Sequence, residues 1–156
     1  MVYTGTYQRA LDDKGRIALP KRLRDELGEN PVLFATPGTD RCLELHTTES
    51  LNHLANKTSQ SKVGSKDLKS FSRLFYAQAE QCDCDRTGRV RIPATLLQFA
   101  ELTKEVVIIG VGPNWEIWDQ ARWTQYLTEQ QSEFDRLNQA TMDMAVEDVL
   151  RLPREQ

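Results

Sequence analysis

The sequence predicts an α+β protein built of two tandem β-β-α-β-β halves with flanking helices, and three observations carry that reading. The phrase Asp12-Asp13-Lys14-Gly15-Arg16-Ile17-Ala18-Leu19-Pro20 returns as Asp85-Arg86-Thr87-Gly88-Arg89-Val90-Arg91-Ile92-Pro93, with Asp, Gly, Arg and Pro matched at a constant offset of 73. Around each copy the same order of short strand-like runs and one Leu-containing stretch recurs, and duplicated sequence means duplicated structure. Between and after the copies, apolar residues fall at helical spacing instead.

In the first half, residues 2–11 alternate loosely with Thr and Tyr and read as a strand; 17–19 read as its hairpin partner across the Asp-Asp-Lys-Gly turn. Pro20 suits the first turn of a helix, where its missing N–H costs nothing. Leu23 and Leu27 then share one face, and Gly28 stands where a helix end favours positive φ. Residues 32–35 and 42–46 are two further short strands, joined by the turn-forming Thr36-Pro37-Gly38-Thr39-Asp40. The second half repeats this order at 79–84, 90–92, 93–100, 106–110 and 115–118. Glu44 and Glu116 occupy comparable places at an offset of 72, so the second half lacks one residue between its third and fourth strands, where a loop tolerates the loss. Leu51 and Leu54, then Leu68, Phe71, Leu74 and Phe75, mark two connecting helices separated by a polar loop at 58–65. From Ala121 onward, Trp123, Tyr126, Leu127, Phe134 and Leu137 predict one C-terminal amphipathic helix, frayed past Leu152. The expected boundaries are 6–48 for the first half, 49–77 for a helical connector, 78–121 for the second half and 122–156 for the C-terminal helix and tail.

Each half is too small to bury enough apolar surface alone, so the two should share a core. With 28% charged residues and a mean hydropathy of -0.57, the composition is that of a soluble globular protein. No run approaches the roughly 20 apolar residues that span a bilayer and no apolar signal core opens the chain, so a cytoplasmic protein without a membrane partner is expected. Three cysteines, an odd number, argue against a disulfide framework. Cys82-Asp83-Cys84 is C-x-C without a second pair, and His46 and His53 are the only imidazoles, so these thiols are expected as small buried hydrophobes and no metal or other cofactor is predicted. P-loop, G-x-S-x-G and H-E-x-x-H motifs are missing, and Glu44 and Glu116, one per repeat, read as structural positions. Neither an enzyme nor a small-molecule substrate is indicated.

The net charge of -3 argues against non-specific nucleic-acid binding, yet it conceals strong patterning. Between Arg9 and Arg24 six basic residues face two acidic ones, a local +4, whereas from Leu127 onward seven acids face three arginines, a local -4. Such a division gives one surface that meets an anion and another that does not.

In each copy of the phrase the Asp stands three residues before a Gly at a turn, where its carboxylate can accept backbone N–H bonds and fix the turn's shape. Gly15 and Gly88 supply a φ that other residues resist. Arg16 and Arg89 follow directly, each either launched by a rigid turn or clamped on the carboxylate four residues back. The planar guanidinium fork matches phosphate oxygens and the O6/N7 edge of guanine, and a two-stranded ribbon fits a major groove. A tight turn with a structural ion pair explains one copy as well; two copies in matching context favour recognition. Lys14, Lys21, Arg22, Arg24, Arg86 and Arg91 surround the two arginines as phosphate contacts or ordinary surface charges. An assembly module with Trp115, Trp118 and Trp123 as its interface is the alternative, although aromatics beside strands usually belong to a core.

These residues resemble the MraZ family, duplicated transcriptional regulators of the bacterial division and cell-wall gene cluster, whose halves belong to the AbrB-like swapped-hairpin class. The resemblance covers nearly the whole chain. It is carried by Gly5-Thr6-Tyr7, Leu11-Asp12-Asp13-Lys14-Gly15-Arg16, Ala79-Glu80, Asp85 to Arg89, Leu102-Thr103-Lys104-Glu105-Val106 and Glu116-Ile117-Trp118. The family's D-x-x-x-R signature falls here on Asp12 with Arg16 and on Asp85 with Arg89. The resemblance implies that these lie on a DNA-binding face, that the hairpins interlock into a barrel, and that protomers form a ring-shaped homo-oligomer. It further implies a nucleoid-associated repressor that meets short direct repeats in double-stranded DNA upstream of its own operon, where repeated weak contacts add through effective concentration. The second copy departs at Arg86-Thr87, where the first has Asp13-Lys14, and at Arg91, where the first has Ala18. The denser basic surroundings make Arg16 the stronger candidate of the two motif arginines.

Overall fold

The structure, a computed structural model, describes residues 2–60 and 64–151. Part of the expected loop at 58–65 and the expected fraying past Leu152 lie outside the described residues. Eight strands and their connecting helices follow in the order β1 (Thr6–Ala10), β2 (Arg16–Ala18), α1 (Lys21–Leu27), β3 (Leu33–Pro37), β4 (Leu43–Thr47), α2 (Thr48–Ser59), α3 (Ser65–Tyr76), β5 (Glu80–Cys82), β6 (Arg89–Arg91), α4 (Ala94–Phe99), β7 (Glu105–Gly110) and β8 (Trp115–Asp119). The chain then continues as α5 (Gln120–Gln130), a 3-10 turn at Gln131–Glu133 and α6 (Phe134–Arg151). It divides into two compact units, Met1–Gln120 and Ala121–Gln156.

The first unit is the α+β duplication. Its antiparallel six-stranded sheet has the order β1-β7-β8-β4-β3-β5, which reads the same from either edge when the halves are exchanged. The first strand of each half pairs with the third strand of the other, β1 with β7 and β5 with β3. At the centre β4 meets β8, with Glu44 opposite Glu116. Strand exchange merges the halves into one core, in which Leu19, Leu23, Leu33 and Leu43 pack with Ile92, Leu96, Ile108 and Ile117. Fully burying each such side chain stabilises by about 1.5–3 kcal/mol. Neither half alone could enclose them.

The two expected local hairpins do not form as ladders, and this corrects the sequence reading. After its turn, β2 leaves β1 and pairs with β6 in a separate two-stranded ribbon, in the register Arg16↔Arg91, Ile17↔Val90 and Ala18↔Arg89. Only the turns survive as local closures: Asp12 N–H donates to Arg16 O at 3.0 Å, and Asp85 N–H to Arg89 O at 2.8 Å. In the second half one isolated bridge, Cys84 to Val90, remains. Burial decides the outcome, because Ile17 and Val90 are completely buried only when the two ribbon strands lie side by side over the common core.

Most other strands and helices of the first unit lie within a residue or two of their expected positions, although β1 begins at Thr6 rather than at residue 2. Pro20 caps α1 rather than opening it, with φ -55°, and Gly28 ends that helix at φ 72°. The β3–β4 connection has five residues and the β7–β8 connection four, which locates the deletion inferred from the offset. Cys42 and Cys82 are buried and Cys84 is half-buried; burial raises the Cys82 thiol to about 11. Trp115 and Trp118 belong to the interior. In the second unit, the single predicted helix is instead two, α5 and α6, because no apolar residue anchors the polar stretch 128–133 between Leu127 and Phe134. Trp123 and Tyr126 stack there with ring centroids 5.7 Å apart.

Candidate nucleic-acid interface

Each copy of the repeated phrase folds into the same tight turn. Gly15 and Gly88 adopt φ 75° and 81°, a region that suits glycine, and their N–H groups donate to Asp12 O and Asp85 O at 3.0 Å each. The Asp12 carboxylate accepts from the backbone N–H of Lys14 and of Arg16, both at 2.9 Å. Asp85 accepts from Thr87 N–H at 2.9 Å, Thr87 Oγ1 at 2.6 Å and Arg89 N–H at 3.0 Å. The turns are also tied to each other: Leu19 N–H donates to Gly88 O at 2.9 Å, and Ile92 N–H to Gly15 O at 2.8 Å. These reciprocal bonds join residues that correspond in the two copies, so the ribbon has a local two-fold symmetry.

That symmetry brings both D-x-x-x-R motifs into one cluster. Arg16 Nε lies 2.7 Å from Asp12 Oδ2, and Arg16 Nη1 lies 3.7 Å from Asp85 Oδ2. Arg89 mirrors it, with Nε 3.4 Å from Asp85 Oδ2 and Nη1 3.6 Å from Asp12 Oδ2. Two carboxylates and two guanidiniums therefore neutralise one another, and each arginine is held by both repeats. Backbone donation from Arg16 leads the lowering of the Asp12 pKa, while the Thr87 hydroxyl leads that of Asp85, which falls to about 2. Both carboxylates are consequently ionised at neutral pH, and the guanidinium forks stay half-exposed in fixed orientations.

The cluster lies on the outward face of the ribbon, since positions one either side of buried Ile17 and Val90 point away from the core. Arg16, Ala18, Arg89 and Arg91 make up this face. Lys14, Arg86 and Arg91 are exposed around it. Of the α1 cations, Arg24 reaches the second turn rather than its own: Arg24 Nη1 approaches Thr87 O at 3.4 Å, and the Arg24 stem covers Gly88. Its counterpart in the second half, Leu97, covers Gly15 instead. Lys21 and Arg22 stay exposed with helical partners, Asp25 at 2.8 Å and Glu26 at 3.6 Å. Such exposed pairs open readily for a stronger anion.

One residue that ties the elements of the site together escapes the sequence reading. Arg9 donates from Nε to Ala18 O at 3.1 Å, so it ties β1 to the ribbon where no ladder does, and its guanidinium lies over the Tyr7 ring. Its place at the start of the basic stretch was the available signal, but its target depends on β2 leaving β1.

The family model described as "MraZ protein, putative antitoxin-like" matches residues 2–73 and 75–145, once per repeat. The chain belongs to the MraZ family. Relatives support the assignment at full length. The "Transcriptional regulator MraZ" of Alkaliphilus oremlandii is 37% identical over 145 residues, which is 93% of this chain and all of the relative. The protein of the same name from Lactiplantibacillus plantarum is 39% identical over 142 residues, 91% of this chain and 99% of the relative. That from Halothermothrix orenii is 36% identical over 145 residues, again 93% of this chain and all of the relative. MraZ proteins are regulators of transcription and not enzymes. Among the described residues, no helix is long and apolar enough to cross a membrane.

Proposed function

We propose that this DNA-binding transcription regulator is a sequence-specific repressor of the bacterial division and cell-wall gene cluster. It binds short direct repeats upstream of its own operon as a ring-shaped homo-oligomer, on the nucleoid in the cytoplasm. The observation that carries this reading is the ribbon, on which strand exchange sets both D-x-x-x-R motifs and an exposed cationic margin on one outward face. A ribbon of two strands fits a major groove, and guanidiniums fixed by carboxylates enter it with little further ordering cost. Lys14, Lys21, Arg22, Arg24 and Arg86 supply phosphate contacts around Arg16 and Arg89, Arg91 is a further DNA-binding cation of the same face, and Asp12, Gly15, Asp85 and Gly88 hold the turns. One ribbon per protomer makes a small footprint, so affinity grows when several protomers engage successive repeats at once.

Footprinting of the purified protein on the DNA upstream of its own gene tests this. Evenly spaced protections, weakened steeply by salt, are expected. Uniform protection without preferred positions would rule out specific recognition, and a single protected element bound by a monomer would rule out the ring on repeats.

A further inference from the structure

The ribbon is two-fold symmetric in its frame and asymmetric in its charges. The reciprocal turn bonds and the four-membered Asp12, Arg16, Asp85 and Arg89 cluster obey the symmetry. Departures occur at outward positions: Arg91 corresponds to Ala18, Arg86 to Asp13, Thr87 to Lys14, and Arg24 to Leu97. A symmetric frame alone would present the same group twice and favour a palindromic sequence.

The register places Arg91 directly across from Arg16, at the end of the ribbon next to the first turn. At the other end the matching pair is Ala18 and Arg89. Arg91 is exposed, and among the described residues no carboxylate lies within ion-pair distance of it. Arg16 and Arg89, by contrast, are engaged by two carboxylates each. On the outward face Arg91 is therefore the arginine whose guanidinium is free to make both bonds of a bidentate contact.

Resting on the DNA-binding reading above, we propose that Arg91 is a specificity-determining residue that reads a base pair, through a bidentate contact in the major groove, at one end of the recognised element. Arg16 and Arg89, held between the two motif carboxylates, contact DNA beside it, and Arg24, which approaches the second turn, holds a phosphate at the other end. Recognition is then directional although the frame is symmetric. A guanine is the natural target, because its O6 and N7 accept the two parallel bonds of a guanidinium.

Selection from a pool of randomised double-stranded DNA with the full chain, Arg91→Ala and Arg91→Lys tests this, with the folded state of each variant checked by circular dichroism. The wild-type chain is expected to select a non-palindromic motif with a guanine at one end. Both variants should lose that preference while keeping the remainder, and Arg91→Ala should bind the wild-type motif about tenfold or more weakly, a loss typical of one bidentate pair. Arg91→Lys retains the charge, so a motif unchanged in that variant makes Arg91 a phosphate contact and overturns the proposal. A palindromic wild-type motif also overturns it, and leaves the DNA-binding reading intact. Failure of the wild-type chain to select any motif overturns both.

Discussion

Arg16 of the first repeat reaches the carboxylate of Asp85 in the second, with Nη1 3.7 Å from Oδ2. The contact exists only because β2 and β6 lie side by side, so the motif of one repeat is completed by the other. Removing Arg16 leaves Asp12 and Asp85 partly uncompensated on the face proposed for DNA, which adds repulsion to the lost contact. Arg16→Ala is expected to weaken binding to upstream DNA by at least about tenfold in a gel-shift assay at moderate salt, with the circular dichroism spectrum unchanged. Arg16→Lys should remain impaired, because one ammonium lacks the fork that addresses two carboxylates at once. A full shift with Arg16→Ala would refute the role given to this residue.

The same cluster sets an acid limit on stability. The Asp85 pKa is lowered from 3.8 to about 2, first by the Thr87 hydroxyl and then by the Arg89 N–H, and that of Asp12 is lowered too. A carboxylate with a depressed folded pKa stabilises fully above its unfolded pKa and loses that contribution as pH falls through the folded value. Urea midpoints should therefore decline as pH drops from about 4 towards 2. Asp85→Asn should lower the midpoint at neutral pH and flatten this part of the profile; an unchanged slope would assign the acid sensitivity to other groups.

Gly88 and Gly15 carry the same φ but meet different neighbours. A Cβ on Gly88 falls on Cδ of Arg24, whereas on Gly15 it would lie 3.2 Å from Ile92 O and 3.3 Å from Leu97 Cδ1. Either alanine should cost about 1–2 kcal/mol for the left-handed backbone. The Gly88→Ala variant must also displace Arg24, so adding Arg24→Ala to it should cost nothing further. Urea denaturation of the single and double variants measures that coupling; strictly additive losses would mean that Arg24 does not pack on the turn.

What was legible in the sequence follows the range of each interaction. Asp12 fixes its turn through bonds to residues two and four positions away, and such spacing is visible in a single phrase. The periodicity of 17–19 and 90–92 identifies strands but not their partners, so sequence alone points each to the adjacent strand, whereas Ile17 pairs with Val90, 73 positions away. The cross-repeat cluster is hidden for the same reason, and the Arg9 bond to Ala18, though only nine residues apart, follows from β2 leaving β1 for that distant partner. The helical break after Gln130 was missed because apolar spacing resumes at Phe134 with nothing but polar residues between.

Exposed cations should be distinguishable from the neutralised cluster by salt. Lys14 lies at the edge of the ribbon face and carries no acidic partner among the described residues, so its contribution is that of a phosphate contact releasing one counterion. Lys14→Ala is expected to reduce the slope of log affinity against log salt by about 1 without altering the sequence selected. An unchanged slope would place Lys14 outside the DNA footprint.

Glu116 gives the opposite pH signature to Asp85. It faces Glu44 across the central strand pair, and burial first, then the Glu44 charge, raises its pKa above 4.5, despite the Trp118 indole N–H donating at 3.0 Å and the Cys42 thiol donating as well. A carboxyl group that holds its proton more tightly when folded makes the native state less stable as pH rises from the unfolded pKa through the folded one. Glu116→Gln removes that penalty and keeps an oxygen to accept from Trp118 and Cys42. The variant should melt at a higher temperature than the wild-type chain at pH 7, and the difference should shrink as pH falls below about 4.3, where the acid is protonated in both states. Equal melting temperatures at pH 7 would show that the buried Glu116 charge carries no stability cost.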